Sequence, residues 1–302
     1  MNPQFLMDGL IAGSMIGLGA VGVTLVYSIL RFPNFAHGDM IAWGAYFTMV
    51  VSGAIGALIG GGQPLGPFSF GWSLPIAGLA GMALTAMLAL SLDWALFQRL
   101  RNRNAAMIII VMASFGASIA LRSALEFIFT SDPVYFTREL QIALPIGGGM
   151  RGTPDQMLTL GLTALVVLGL YILMTKTPIG RAMRAVSEDP KLAGVTGVDV
   201  ARVIRFVWIV GASLACGAGI MAGLLVQIRP YMGFDLLLPL FAAAILGGVG
   251  SVPGAIIGGL TVGIGEALAV QFLGAEWRAG AAFLLLIAIL LVRPTGIFGR
   301  PA

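Results

Sequence analysis

The chain has 302 residues, 58% of them apolar and only 10% charged, with 17 Lys and Arg against 13 Asp and Glu and a formal net charge of +4. A soluble domain carries about 25% charged residues, so the polar surface needed to clothe a core of this length in water is missing, and lipid is the solvent that removes the conflict. Basic excess in such a chain belongs to cytoplasmic loops, which sets nucleic acid aside as a partner.

The mean hydropathy of +0.98 is distributed as long apolar runs. These predict an all-α polytopic membrane protein with hydrophobic segments at about 8–30, 36–58, 74–97, 105–129, 157–175, 203–228, 235–249, 254–273 and 279–293. Most reach the roughly 20 residues needed to cross about 30 Å of hydrocarbon. The Gly-rich segment 235–249 is short and is expected to be broken or re-entrant if it does not cross, which leaves eight or nine transmembrane helices. The 43 glycines would let such helices approach closely. No Lys or Arg precedes Arg31, so the first segment lacks the basic flank of a cleaved signal peptide and is expected to stay in the mature protein. Cys216 is the single cysteine and can form no internal disulfide.

Placing 176–202 in the cytoplasm puts 12 of the 17 basic residues on that side, with Arg138, Arg151, Arg229 and Arg278 outside and Arg122 within a segment. That bias favours nine crossings, an outside N-terminus and a cytoplasmic C-terminus. The stretch 130–156, with Pro133, Pro145, Gly147 to Gly149 and Pro154, reads as an external loop in one transmembrane domain spanning 1–302.

The loop 176–202 carries the strongest local signal. Ile179, Met183 and Val186 recur at helical spacing. Asp189 followed by Pro190 reads as an N-cap with Pro at the first helical position. Gly194 or Gly197 can end that second short helix, and Asp199 can cap the next segment. Two capped helices at the membrane surface make a knob that a soluble partner could grip; a plain basic loop that only sets topology needs no such features.

Four groups of residues carry a resemblance to a known family. They are Gly180-Arg181-Ala182 with Arg184-Ala185, Glu188-Asp189, Ala193 and Gly197-Val198; Asn34-Phe35-Ala36-His37-Gly38-Asp39; Leu246 to Ala255; and Arg293 to Pro301. Together they resemble permeases of ATP-binding-cassette importers of the branched-chain amino acid type, over nearly the whole chain. The short N-terminus and the Asn-Phe-Ala-His-Gly form are similar to the first of the two permease subunits. Asp39 stands where Glu is expected, and Val198 where Ile is expected. The resemblance implies a bacterial inner-membrane subunit that pairs with a related permease, two cytoplasmic ATPases and a periplasmic substrate-binding protein. Gly180, Arg181, Arg184, Glu188, Asp189, Pro190, Ala193 and Gly197 would then form the ATPase-coupling surface. The partners would bind the ATP, and this chain would need no cofactor; it has no G-x-x-x-x-G-K-[ST] loop.

Residues grouped at membrane depth are candidates for a translocation path: Asn34, Phe35, His37 and Asp39 in the first half, Tyr231 and Asp235 in the second, and Glu266 within an apolar run. Short, Gly- or Pro-interrupted segments in matching positions of two halves point to a transporter's site, while a buried carboxylate is usually partnered or lines a wet cavity. The blander readings are a turn-stabilising His37, a helix-dipole role for Asp39 and an Arg122–Glu126 pair on one helix. Asp93, within two turns of Arg99, reads as a topological charge. No nucleophile–base pair, G-x-S-x-G or metal set supports an enzyme. Rival readings are the same machinery importing urea, short amides or small carboxylates, and an ion-coupled secondary transporter or channel.

Overall fold

The computed structural model describes residues 3–59, 63–137, 139, 141–147, 149–293 and 295–299. Arg138, Gly148, Pro294, Arg300 and Pro301, which the sequence reading used, fall outside the described residues.

Helices account for nearly all regular structure: α1 Gln4–Leu30, α2 Ala36–Ile59, α3 Ser73–Leu92, α4 Gln98–Asn102, α5 Met107–Phe129, α6 Pro154–Lys176, α7 Pro178–Glu188, α8 Pro190–Val195, α9 Val200–Leu225, α10 Met232–Gly247, α11 Val252–Leu273 and α12 Arg278–Val292. A π-helical turn, Asp93–Phe97, joins α3 to α4. Among the described residues, eight helical stretches are long and apolar enough to cross a membrane. The fold is that of an all-α polytopic membrane protein.

The centre is α1, buried along most of its length. It lies against α11 through glycines four residues apart, Gly9, Gly13 and Gly17 on one helix and Gly259 and Gly263 on the other. A Cβ at Gly13 would stand 2.7 Å from the Leu260 Cα, and one at Gly259 or Gly263 would overlap the α1 backbone. Without a hydrophobic drive between helices in lipid, such close backbone packing is what holds them.

The short segment is a continuous 16-residue helix, α10, with Pro239 inside it. At 1.5 Å per residue it spans about 24 Å, less than about 30 Å of hydrocarbon. It ends at Gly247, which packs on Gly254 of α11, and Gly248 follows at φ 94. The C-terminal tail then takes up the freed carbonyls: the Ile297 and Phe298 amides donate to Leu246 and Gly247 at 2.8 and 3.1 Å.

Two ends of the bundle can be told apart by these contacts. At one, the Arg31 guanidinium closing α1 donates to the Ser187 and Glu188 carbonyls of α7. Gly250, just past α10, sits beside Ser28 of α1, so α10 ends there too. At the other, Val134 after α5 pairs with Ile228 after α9. α10 therefore carries the chain from the second end back to the first.

The stretch 130–153 contains an antiparallel hairpin, β1 Leu144–Gly147 with β2 Met150–Gly152. Its anchor is a residue the sequence did not announce. Buried Asp155, in the first turn of α6, accepts from the Ser69 hydroxyl and from Gln141 Nε2 at 3.0 Å, tying two loops to one carboxylate.

Candidate functional site

The loop end is built from local capping. Thr177 accepts from the Gly180 amide and opens α7 with Pro178 at its first position. Asp189 ends α7 and opens α8, its Oδ1 accepting from the Lys191 and Leu192 amides at 2.8 and 3.0 Å. Those two amides, Leu192 first, hold the Asp189 carboxyl below its ordinary range. Asp199 caps α9 through the Arg202 amide at 2.9 Å, and Gly197, at φ 90, makes the turn between them. The apolar stripe faces inward, with Met183 and Val186 buried and Ile179 packed beside them. Ala193 is buried as well, while Arg181 and Arg184 are exposed.

Gly180 is pinned from behind. A Cβ there would run into the carbonyls of Leu173 and Met174 at the end of α6, and the Arg184 guanidinium reaches the same Met174 carbonyl. Facing away are Leu192 at 62% and Val195 at 85% exposure. In a segment outside the apolar spans, that is unpartnered apolar surface.

The second cluster joins α2, α5 and α10. Asn34 turns the chain into α2, its Oδ1 accepting from the Ala36 amide at 3.2 Å. The His37 ring packs on Gly22 in the interior of α1, so α2 starts well below the end of α1. Asp39 is fully buried and faces Arg122 of α5 at 3.3 Å, with Ser118 donating to its other oxygen. The guanidinium also lies over the rings of Phe234 at 4.2 Å and Tyr231 at 5.3 Å, both at the start of α10. The expected Arg122–Glu126 pair is thus corrected. A carboxylate sealed from water draws the nearby cation far more strongly than a half-buried one does. Asp39 is more than a dipole partner, although it does sit in the first turn of α2.

The path candidates of the two halves, Phe35 to Asp39 and Tyr231 to Asp235, meet at the starts of α2 and α10. Gly38 and Gly233 touch backbone to backbone, and Arg122 bridges the two helix starts. Phe35 lies against Phe115 and Phe241, at centroid distances of 5.9 and 5.4 Å. Asp235 turns instead to the α9–α10 connection and pairs with Arg229 at 3.0 Å, both half exposed. Two buried groups in this cluster, Asn34 Nδ2 and the His37 ring nitrogens, lack a well-formed hydrogen bond; the Gly19 carbonyl faces the imidazole.

Glu266 lies elsewhere. It borders a cavity of about 290 Å³ between α1, α11 and the start of α12, which includes none of residues 34–39 or 231–235. Asp93 is likewise corrected. Read as a topological charge, it is instead buried and lies 2.8 Å from Arg101, while Arg99 stacks over Trp94 at 5.1 Å. Among the described residues no group of three or more His, Cys, Asp and Glu could hold a metal ion.

Residues 5–292 match the family described as the branched-chain amino acid transport system permease component. The chain belongs to that family. It is 35% identical over 313 residues to the high-affinity branched-chain amino acid transport system permease protein LivH of Escherichia coli (strain K12), covering 100% of this chain and 98% of the relative. To the corresponding protein BraD of Pseudomonas aeruginosa it is 32% identical over 303 residues, covering 99% and 96%. Among solved structures it resembles PsaBC from Streptococcus pneumoniae in complex with Fab, with a TM-score of 0.50 at 14% identity, covering 97% of this chain and 94% of that one. That last likeness concerns the fold alone. The chain is therefore a multi-pass inner-membrane permease subunit of the ABC-importer class.

Proposed function

We infer that this subunit imports branched-chain amino acids or a closely related small polar solute, delivered by a periplasmic binding protein and driven by two cytoplasmic ATPases. The cargo reading rests on the names of the full-length relatives. The carrying observation for the mechanism is the 177–199 loop. It is a knob fixed by three caps and pinned behind Gly180, with Leu192, Val195, Arg181 and Arg184 all exposed on its surface. A loop that only set topology would gain nothing from this order.

In this reading the loop end is cytoplasmic, the N-terminus is outside, and α10 counts as a ninth crossing. An ATPase pressing on α7 and α8 moves the end of α1 through Arg31. The start of α2 follows, because only five residues separate α1 from α2. Asn34, Phe35, His37 and Tyr231 then line the solute route beside the Asp39–Arg122 pair. Glu266 sits apart from this route within one subunit.

Reconstituted transporter with its binding protein and ATPases should accumulate labelled leucine, isoleucine or valine in an ATP-dependent manner. Accumulation driven by an ion gradient with no ATP would make it a secondary transporter. ATP-dependent uptake of urea, short amides or small carboxylates, but of none of these amino acids, would replace the cargo.

A further inference from the structure

The Glu266 cavity lies at the end of the bundle opposite the 177–199 loop, between the first turns of α1, the last turns of α11 and the first turn of α12. At about 290 Å³ it is roomy enough for a small solute or several waters. Three helices contribute charges or amides: Gln4 and Asp8 from α1, Glu266 and Gln271 from α11, and Arg278 from α12. Gln4 is held in place, its amide bonded to Asp8 at 3.1 Å and to the Arg151 backbone at 2.9 and 2.8 Å.

Glu266 is only 5% exposed, and no donor reaches its Oε1. Arg278 is the charge that faces it across the cavity. A buried carboxylate oxygen with no donor is costly, so the arrangement is completed by a ligand that brings one. A multivalent metal ion would need more oxygen ligands than two carboxylates supply, and any lone cation would have to sit beside Arg278. A molecule with an ammonium at one end and an anionic group at the other satisfies both sides. Three N–H donors of a primary ammonium suit the carboxylate and amide oxygens; a quaternary ammonium would want an aromatic cage, and Phe5 is the single aromatic ring in the lining.

We propose that the cavity formed by Asp8, Glu266 and Arg278 is a binding site for a zwitterion carrying a primary ammonium group. Two sources share that chemistry, a free amino acid and the head group of phosphatidylethanolamine. Exposed Trp277 adjoins Arg278, and Trp at a helix end marks the depth of lipid head groups, which both sources reach. The amino-acid source rests on the cargo reading above; the lipid source does not.

The test uses the purified full-length chain in phosphatidylcholine nanodiscs, titrated in separate arms with L-leucine, dihexanoyl phosphatidylethanolamine and, as control, glycine betaine. Saturable binding of leucine or of the ethanolamine lipid is expected, with betaine at least about tenfold weaker, the equivalent of one hydrogen bond to a charged group. Both Glu266→Gln and Arg278→Gln should weaken the bound zwitterion by a similar factor; the second change is at an exposed helix start and guards against a folding failure of the first. Saturation by the lipid alone identifies a lipid site and leaves the cargo reading untouched, whereas saturation by leucine alone identifies a cargo subsite. Binding of neither, or binding that both variants leave unchanged, overturns the proposal.

Discussion

The α7–α8 loop and the Asp39–Arg122 junction are both polar, yet they are stabilised in opposite ways. In the loop nearly every polar group is satisfied within a few residues: Thr177 by Gly180, Asp189 by Lys191 and Leu192, Asp199 by Arg202. At the junction a carboxylate on α2 meets a guanidinium 83 residues later in the chain, under rings from α10. The loop can keep its shape while it moves as a unit. The junction exists only while three helices keep their places, so it registers any shift between them.

The largest effect should come from opening the junction. Arg122→Gln or Asp39→Asn alone leaves one charge buried without its partner, a loss of about 3–5 kcal/mol. Thermal unfolding of the purified subunit should show this, and the double variant should cost clearly less than the two single losses added together. Additive losses would mean that the two side chains act independently.

Gly180→Val attacks the loop from behind. Overpacking against the Leu173 and Met174 carbonyls should cost about 1–3 kcal/mol, and ATP-dependent uptake should fall further than membrane insertion does. Equal losses in both would reduce Gly180 to a packing residue.

These contrasts also explain what could be read from the chain. Apolar runs marked every long helix to within a few residues, and the caps at Asp189 and Asp199 were visible because a cap is a local pattern. Arg122 was assigned to Glu126 because a partner four residues away is the one a single helix offers; nothing in the linear order points to Asp39. Asp155 was silent for the same reason, since Ser69 and Gln141 converge on it from separate loops. Asp93 was read as a topological charge, while the structure buries it and turns Arg101 toward it. The isolation of Glu266 from the Asn34 cluster depends on how α11 lies on α1, which the glycine spacing permits but does not orient.

A smaller effect is expected where the two regions communicate. Arg31→Ala removes two hydrogen bonds to the α7 carbonyls, about 0.5–1.5 kcal/mol each. Both bonds are solvent-exposed, so stability should fall by only about 1 kcal/mol in all, while ATP hydrolysis per solute imported should rise. Unchanged stoichiometry would show that α1 does not carry the movement.

The smallest effect concerns acid. Because the Asp189 carboxyl is held below its ordinary range, its contribution is present above the unfolded-state value and is lost as pH falls through the folded one. Proteolysis of the loop should therefore be flat from neutral pH down to the ordinary carboxylate range and rise only below it. The Asp189→Asn variant should abolish that acid step.

The central claim, that the 177–199 loop is the cytoplasmic docking surface, is tested most directly by a single cysteine at exposed Leu192 with Cys216 changed to Ala. In the assembled transporter a short cross-linker should join Leu192→Cys to an ATPase subunit and block uptake until it is cleaved. A cysteine there that cross-links to no ATPase, or that a membrane-impermeant reagent labels from outside intact cells, would contradict the account.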